Sequence, residues 1–106
     1  MIIDAHVHIG QLSLRKGRLT AGALVRQMDK WGIDKAFVLP IENPEETELY
    51  VTTKEVLAGC RRYPDRLIPF CNIDPRRHYP GRFNPRPLLQ HYIDQGCLGF
   101  GENLAG

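Results

Sequence analysis

Long hydrophobic runs are missing from this sequence: the longest, residues 36–41, falls far short of the ~20 apolar residues that a membrane-crossing helix needs. Charge of one sign is missing too. Fourteen Lys and Arg against twelve Asp and Glu leave a net charge of +2, too little to make a nucleic acid or a membrane surface the expected partner. Cysteine is scarce and badly spaced for covalent or metal duty. Cys60, Cys71 and Cys97 are odd in number and form no C-x-x-C pair, so neither a disulfide framework nor a cysteine zinc site is expected. They read as small buried apolar groups in a reducing cytoplasm. At the N-terminus Asp4 and His6 interrupt the apolar run before the hydrophobic stretch of a signal peptide could form, and no targeting segment is expected. What is present is ordinary: 106 residues, 42% hydrophobic, 25% charged and of mixed sign, which suits one folded domain over residues 1–106.

Residues 2–9 are rich in β-branched side chains and end at Gly10, as a strand does. Strand alternation sets Ile3, Ala5 and Val7 on one face and Asp4, His6 and His8 on the other. A polar, basic loop over residues 11–18 follows. Thr20 then stands at an N-cap position before Leu24, Val25, Met28 and Trp31, whose spacing predicts a helix with those four residues on its core face, stopped by Gly32. Residues 35–41 form a second strand with Pro40 near its end. Pro44, Glu45 and Glu46 suit the start of a second helix, with Leu49, Thr53, Val56, Leu57 and Cys60 along its buried stripe. A third strand over residues 66–73 is closed by Asp74-Pro75, and an Arg- and Pro-rich loop runs on to Pro87. Leu88, Leu89, Tyr92 and Ile93 mark a third helix that Gly96 ends, and residues 97–102 open a fourth strand.

The order β-α-β-α-β-α-β implies an α/β fold of parallel strands with right-handed crossovers, either a doubly wound sheet or a (β/α) barrel. A doubly wound nucleotide binder would carry glycines after its first strand. This chain carries two histidines at the end of that strand, which favours (β/α) units of a TIM barrel, about half of a complete one.

Asp4-Ala-His6-Val-His8 spaces two imidazoles about 6.5–7 Å apart along one strand face, within reach of a single ion. Imidazole is a good ligand for zinc and for other first-row divalent metals, and a strand holds two of them at little ordering cost. Asp4 shares the face, either to orient a histidine or to contact the site directly.

A first strand of two hydrophobic residues followed by Asp4-x-His6-x-His8 resembles the amidohydrolase superfamily of metal-dependent TIM-barrel hydrolases, and TatD-type nucleases open in the same way. The run Tyr63-Pro-Asp-Arg-Leu-Ile-Pro-Phe-Cys-Asn-Ile-Asp-Pro75, then a helix and Gly96-Cys-Leu-Gly-Phe-Gly-Glu102, is similar to the amidohydrolase-2 group, which includes aminocarboxymuconate semialdehyde decarboxylase-like enzymes. The resemblance implies one or two divalent metals at the C-terminal mouth of the barrel, most simply zinc, with manganese, iron or nickel as alternatives. It implies His6 and His8 as ligands, and an activated water attacking a carbonyl or phosphoryl centre. It also implies a lysine or glutamate at the end of the fourth strand, and Glu102 stands near that place as the candidate catalytic or bridging residue. Some relatives of this kind decarboxylate instead.

Eight units need roughly 250 residues, and this chain supplies about three and a half. The family's later ligands, histidines on the fifth and sixth strands and an aspartate on the eighth that usually serves as general base, have no counterpart here. The chain therefore reads as the N-terminal part of a barrel or half of an assembled one, inactive by itself. It is expected to associate as a homo-oligomer or with a missing C-terminal half through its open strand edges. A non-catalytic half-barrel assembly module is the rival from another class. Arg76, Arg77, Arg82 and Arg86 lie in the segment after the third strand, where loops of a barrel surround the mouth. With His78, Arg76 and Arg77 are the candidate contacts for a small, possibly anionic substrate, a solvated loop being the alternative. His91 belongs to the surface of the third helix.

Overall fold

The computed structural model of the chain describes residues 1–11, 18–42, 50–74 and 83–102. Its elements, in chain order, are β1 (Ile3–Val7), β2 (Gly10–Gln11), β3 (Arg18–Leu19), α1 (Ala21–Trp31), β4 (Lys35–Val38), α2 (Thr53–Cys60), β5 (Leu67–Cys71), α3 (Arg86–Asp94) and β6 (Gly99–Phe100). Strands β1, β4, β5 and β6 form one four-stranded parallel sheet whose spatial order is also their order in the sequence. A doubly wound sheet reverses direction at a switch point, and this one does not. It is a half-barrel of alternating parallel strands and helices.

The helices pack on one face of the sheet. Ala36, Val38 and Leu67 project from β4 and β5 into a core with Ala21, Leu24, Val25 and Met28 of α1 and Val56 and Cys60 of α2. A smaller cluster joins Leu57, Cys71 and Cys97, with Leu89 and Tyr92 of α3 against it. All three cysteines are buried and unbridged. Their neighbours in the strands turn the other way: Phe37 and Phe70 stack on the inner face with ring centroids 5.2 Å apart. Gly99 lies under Phe70, where an added Cβ would come within 2.3 Å of the ring. Only glycine lets the aromatic ring rest on the β6 backbone there.

Four expectations are corrected. Trp31 is not core: it is 71% exposed, with the Lys30 ammonium 5.7 Å from its ring, because the core cluster under α1 stops at Met28 and the chain turns away at Gly32. Helix α2 starts at Thr53 and not at Pro44. Val51 exchanges two backbone hydrogen bonds with Ile41, at 2.8 and 2.9 Å, which holds it extended, and the Thr52 hydroxyl caps the helix by accepting from the Glu55 N–H. Pro44, Glu45, Glu46 and Leu49 lie outside the described residues. The basic loop after β1 has paired ends, Gly10 with Leu19 and Gln11 with Arg18. Finally, the apolar face of β1 is poorly covered. Ile3 and Ala5 are exposed and only Val7 packs on the core, since β1 is an edge strand with helices on one side alone.

Candidate metal centre

His6 lies in β1 and His8 just beyond it, while Glu102 follows β6, so the three come from opposite edges of the sheet. In a flat sheet three strand spacings would separate those edges by about 14 Å. Two features close the gap. The sheet curls, and the chain after β6 doubles back across its end: the Gly101 N–H donates to the Cys71 carbonyl at the end of β5, and the Glu102 N–H reaches the Pro40 carbonyl beyond β4 at 3.3 Å. Gly101 makes that course possible with φ of +147°, which an L side chain rarely adopts.

The pairing of β1 with β4 slips by one residue between Asp4 and Val7, a bulge that re-aims the side chains at the site. The Asp4 carboxylate accepts from the His6 backbone N–H at 3.1 Å, so it holds the main chain of the bulge and does not touch either imidazole ring. The three donor atoms form a nearly regular triangle. His6 Nε2 is 3.0 Å from His8 Nε2 and 2.9 Å from Glu102 Oε2, and His8 Nε2 is 3.0 Å from the same oxygen.

The protons available do not suit that triangle unaided. His8 Nδ1 is 2.8 Å from the Leu39 carbonyl, which can only accept, so Nδ1 carries the proton and Nε2 of a neutral ring presents a lone pair. With both rings neutral, at most one N–H, on His6, serves three short contacts among lone pairs. A cation among the three atoms satisfies all of them together. An ion bound tetrahedrally at about 2.0–2.1 Å sets its donors about 3.3 Å apart, close to these spacings. His8 Nδ1 bound to a carbonyl is also the support that metal-binding histidines usually have. These donors therefore fit a divalent metal. His6 is exposed and His8 and Glu102 are half-buried, which leaves the outer side of the triangle open.

The residues predicted from sequence are distributed as follows. His6, His8 and Glu102 meet; Asp4 is adjacent through the backbone. Arg76, Arg77, His78 and Arg82 lie outside the described residues. Arg86 is exposed at the start of α3 and His91 is exposed further along it. The sequence reading missed the groups that hold the triad: the carbonyls of Leu39 and Pro40, and the buried Asn72, whose Nδ2 donates to the Glu102 carbonyl at 2.6 Å. A polar residue between Cys71 and Ile73, in an otherwise apolar strand end, was the available signal. Burial makes the cysteine thiols weak acids. Burial, with Cys97 nearby, pushes the Cys60 thiol up to about 12, and burial with Cys71 nearby does the same for Cys97. A cleft of about 440 Å³ between the β2–β3 hairpin and the helices is lined by Ile9, Arg18, Glu55 and Arg62 among others, and includes none of the three donors.

No family model and no curated protein matches the sequence. Among solved structures, the chain is similar to the crystal structure of a probable 2-pyrone-4,6-dicarboxylic acid hydrolase from Acinetobacter baumannii with citric acid bound, at a TM-score of 0.64 and 17% identity. The match covers 99% of this chain and 40% of that one. The chain thus spans about two fifths of the length of that hydrolase, and the likeness identifies its fold as part of a TIM barrel.

Proposed function

We propose that this chain carries the first part of the metal site of an amidohydrolase-2 type hydrolase. The observation that carries the reading is the His6–His8–Glu102 triangle with His8 fixed by Leu39. His6 and His8 offer imidazole lone pairs, and Glu102 offers a carboxylate that neutralises charge or accepts a proton from a bound water. Zinc is the first choice for such a nitrogen and oxygen donor set, with manganese, iron or nickel as alternatives. When bound, a divalent ion supplies Lewis acidity and lowers the pKa of a water it holds. The chain's own groups orient that water and leave the open side of the triangle to a substrate.

The substrate class proposed is a small carbonyl compound bearing carboxylate. The structural neighbour is described as a hydrolase of a dicarboxylic acid and holds citric acid, and the segment with Arg76, Arg77 and His78 follows β5 in this chain. Full activity on this reading needs further strands to close the barrel, from a second copy or from a longer chain.

Metal content tests the assignment. After equilibrium dialysis against Zn²⁺, elemental analysis is expected to find the ion retained by the wild-type chain and absent from the double variant His6→Ala, His8→Ala. Undiminished retention by the double variant sinks the reading.

A further inference from the structure

We propose that Asn72 is the positioning residue for Glu102, holding its carboxylate against the two histidines from behind; the inference rests on the metal-site reading above. Asn72 follows β5, one of the two central strands, and is 1% exposed. Burying an amide without full pairing is unfavourable, so each bond that it does make carries information. Among the described residues its one side-chain bond runs from Nδ2 to the Glu102 carbonyl, and Oδ1 is buried without a partner. A residue chosen only for packing at this place would be apolar, and one chosen to satisfy a polar core would not leave its acceptor orphaned. What the orphan leaves standing is the donor aimed at Glu102.

Asn72 is itself held. Its backbone N–H donates to Thr53 Oγ1 at 3.1 Å, and Thr53 is 1% exposed. The Thr53 N–H in turn donates to Glu42 Oε1 at 2.7 Å. The first residue of α2 is thereby tied to the ends of β4 and β5. At the other end of the line, Glu102 is gripped at both backbone polar groups: its N–H on the Pro40 carbonyl and its carbonyl on Asn72. This grip matters because β6 is a two-residue strand at the edge of the sheet and gives Glu102 little support of its own. His8 needs no such device, since Leu39 already fixes its ring.

Asn72→Leu keeps the branching and heavy-atom count of the side chain, removes the donor and also removes the orphaned acceptor. Co²⁺ titration of the 106-residue chain, followed by visible absorption, reads affinity and coordination together. The expected result is binding weakened about tenfold or more, with an altered cobalt spectrum, at a melting temperature no lower than wild type. In a Glu102→Ala background the same substitution is expected to change cobalt affinity no further, because the two residues act through one ligand. Wild-type affinity in Asn72→Leu, or an equal loss in the Glu102→Ala background, overturns the proposal. If the wild-type chain binds no cobalt, the metal reading fails separately, and amide hydrogen exchange decides the grip. The Glu102 N–H is expected to be protected in wild type and to exchange at least about tenfold faster in Asn72→Leu; equal exchange overturns it.

Discussion

The centre of the sheet and its two edges differ in what they bury and in what they contribute. Ala36 and Val38 of β4 are fully buried and Leu67 of β5 is 1% exposed, whereas Ile3 of β1 is 43% and Phe100 of β6 is 46% exposed. Yet His6, His8 and Glu102 come from the edges. The centre supplies the backbone and amide groups that aim them: the Leu39 and Pro40 carbonyls and Asn72. The three candidate donors sit where a ligand can arrive, and the packed strands beside them fix the geometry. In this half-barrel stability and site chemistry are separable, and each substitution below tests that separation.

Truncating the centre has the largest expected effect. Leu67→Ala removes a buried member of the core cluster, and should cost about 2–5 kcal/mol in urea unfolding. Ile3→Ala on the edge, where the residue is already 43% exposed, should cost less than about 1 kcal/mol by the same measurement. Equal costs would mean that β1 is covered in solution by something besides this chain's own helices.

The sequence displayed the centre well and the edges poorly, for physical reasons. Ala36, Val38, Leu67, Val56 and Cys60 declare themselves because burial on one face imposes a period, of two in strands and about 3.6 in helices. His6 and His8 were legible from their spacing, but the bulge that aims them was not, since an inserted residue in a ladder depends on the partner strand. Alternation grouped Ile3 and Ala5 with Val7 without showing that Val7 alone is covered, and it put Asp4 on the histidines' face, where its carboxylate holds a backbone N–H. The start of α2 was readable in principle. Thr52-x-x-Glu55 is a capping signature, and it competed with the acidic, proline-led Pro44-Glu45-Glu46, which looks equally like a helix start. Glu102 could be suspected only by resemblance, because its meeting with His6 spans 96 positions and depends on sheet curl. Asn72 showed only as a polar residue between Cys71 and Ile73, and its partner stayed hidden because a hydrogen bond to a distant carbonyl leaves no periodic trace.

An intermediate effect is expected at the edges. Strands β1 and β6 end the four-stranded sheet among the described residues, with Ile3, Leu98 and Phe100 exposed beside them. Unpaired edges with apolar flanks invite further strands. Light scattering across a dilution series should give a mass above 12.1 kDa at high concentration. The double variant Ile3→Lys, Phe100→Lys should weaken that association by at least about tenfold, or about 1.4 kcal/mol, with little loss of monomer stability. A wild-type chain that stays monomeric throughout the series contradicts edge association.

The smallest effect belongs to a titration that only the packed centre can show. Burial first, then neighbouring Cys97, raises the Cys60 thiol from 9.0 to about 12, and burial with Cys71 raises Cys97 likewise. Cys71 and Tyr92, in the smaller cluster with Cys97, are also raised, chiefly by burial. A raised value means that the folded chain keeps its protons where the unfolded chain has released them. The corresponding stability is present in full below about pH 9 and is lost as the pH climbs from there toward 12. Urea midpoints should accordingly fall across that alkaline interval. Cys60→Ala also shifts the level of the curve by changing packing, so the slope is the informative quantity. With one buried thiol gone, the midpoint should fall less steeply with pH while the contributions of Cys97, Cys71 and Tyr92 persist. An unchanged slope would show that the thiol at position 60 reaches solvent, and with it that the core beneath α2 is as open as the edges.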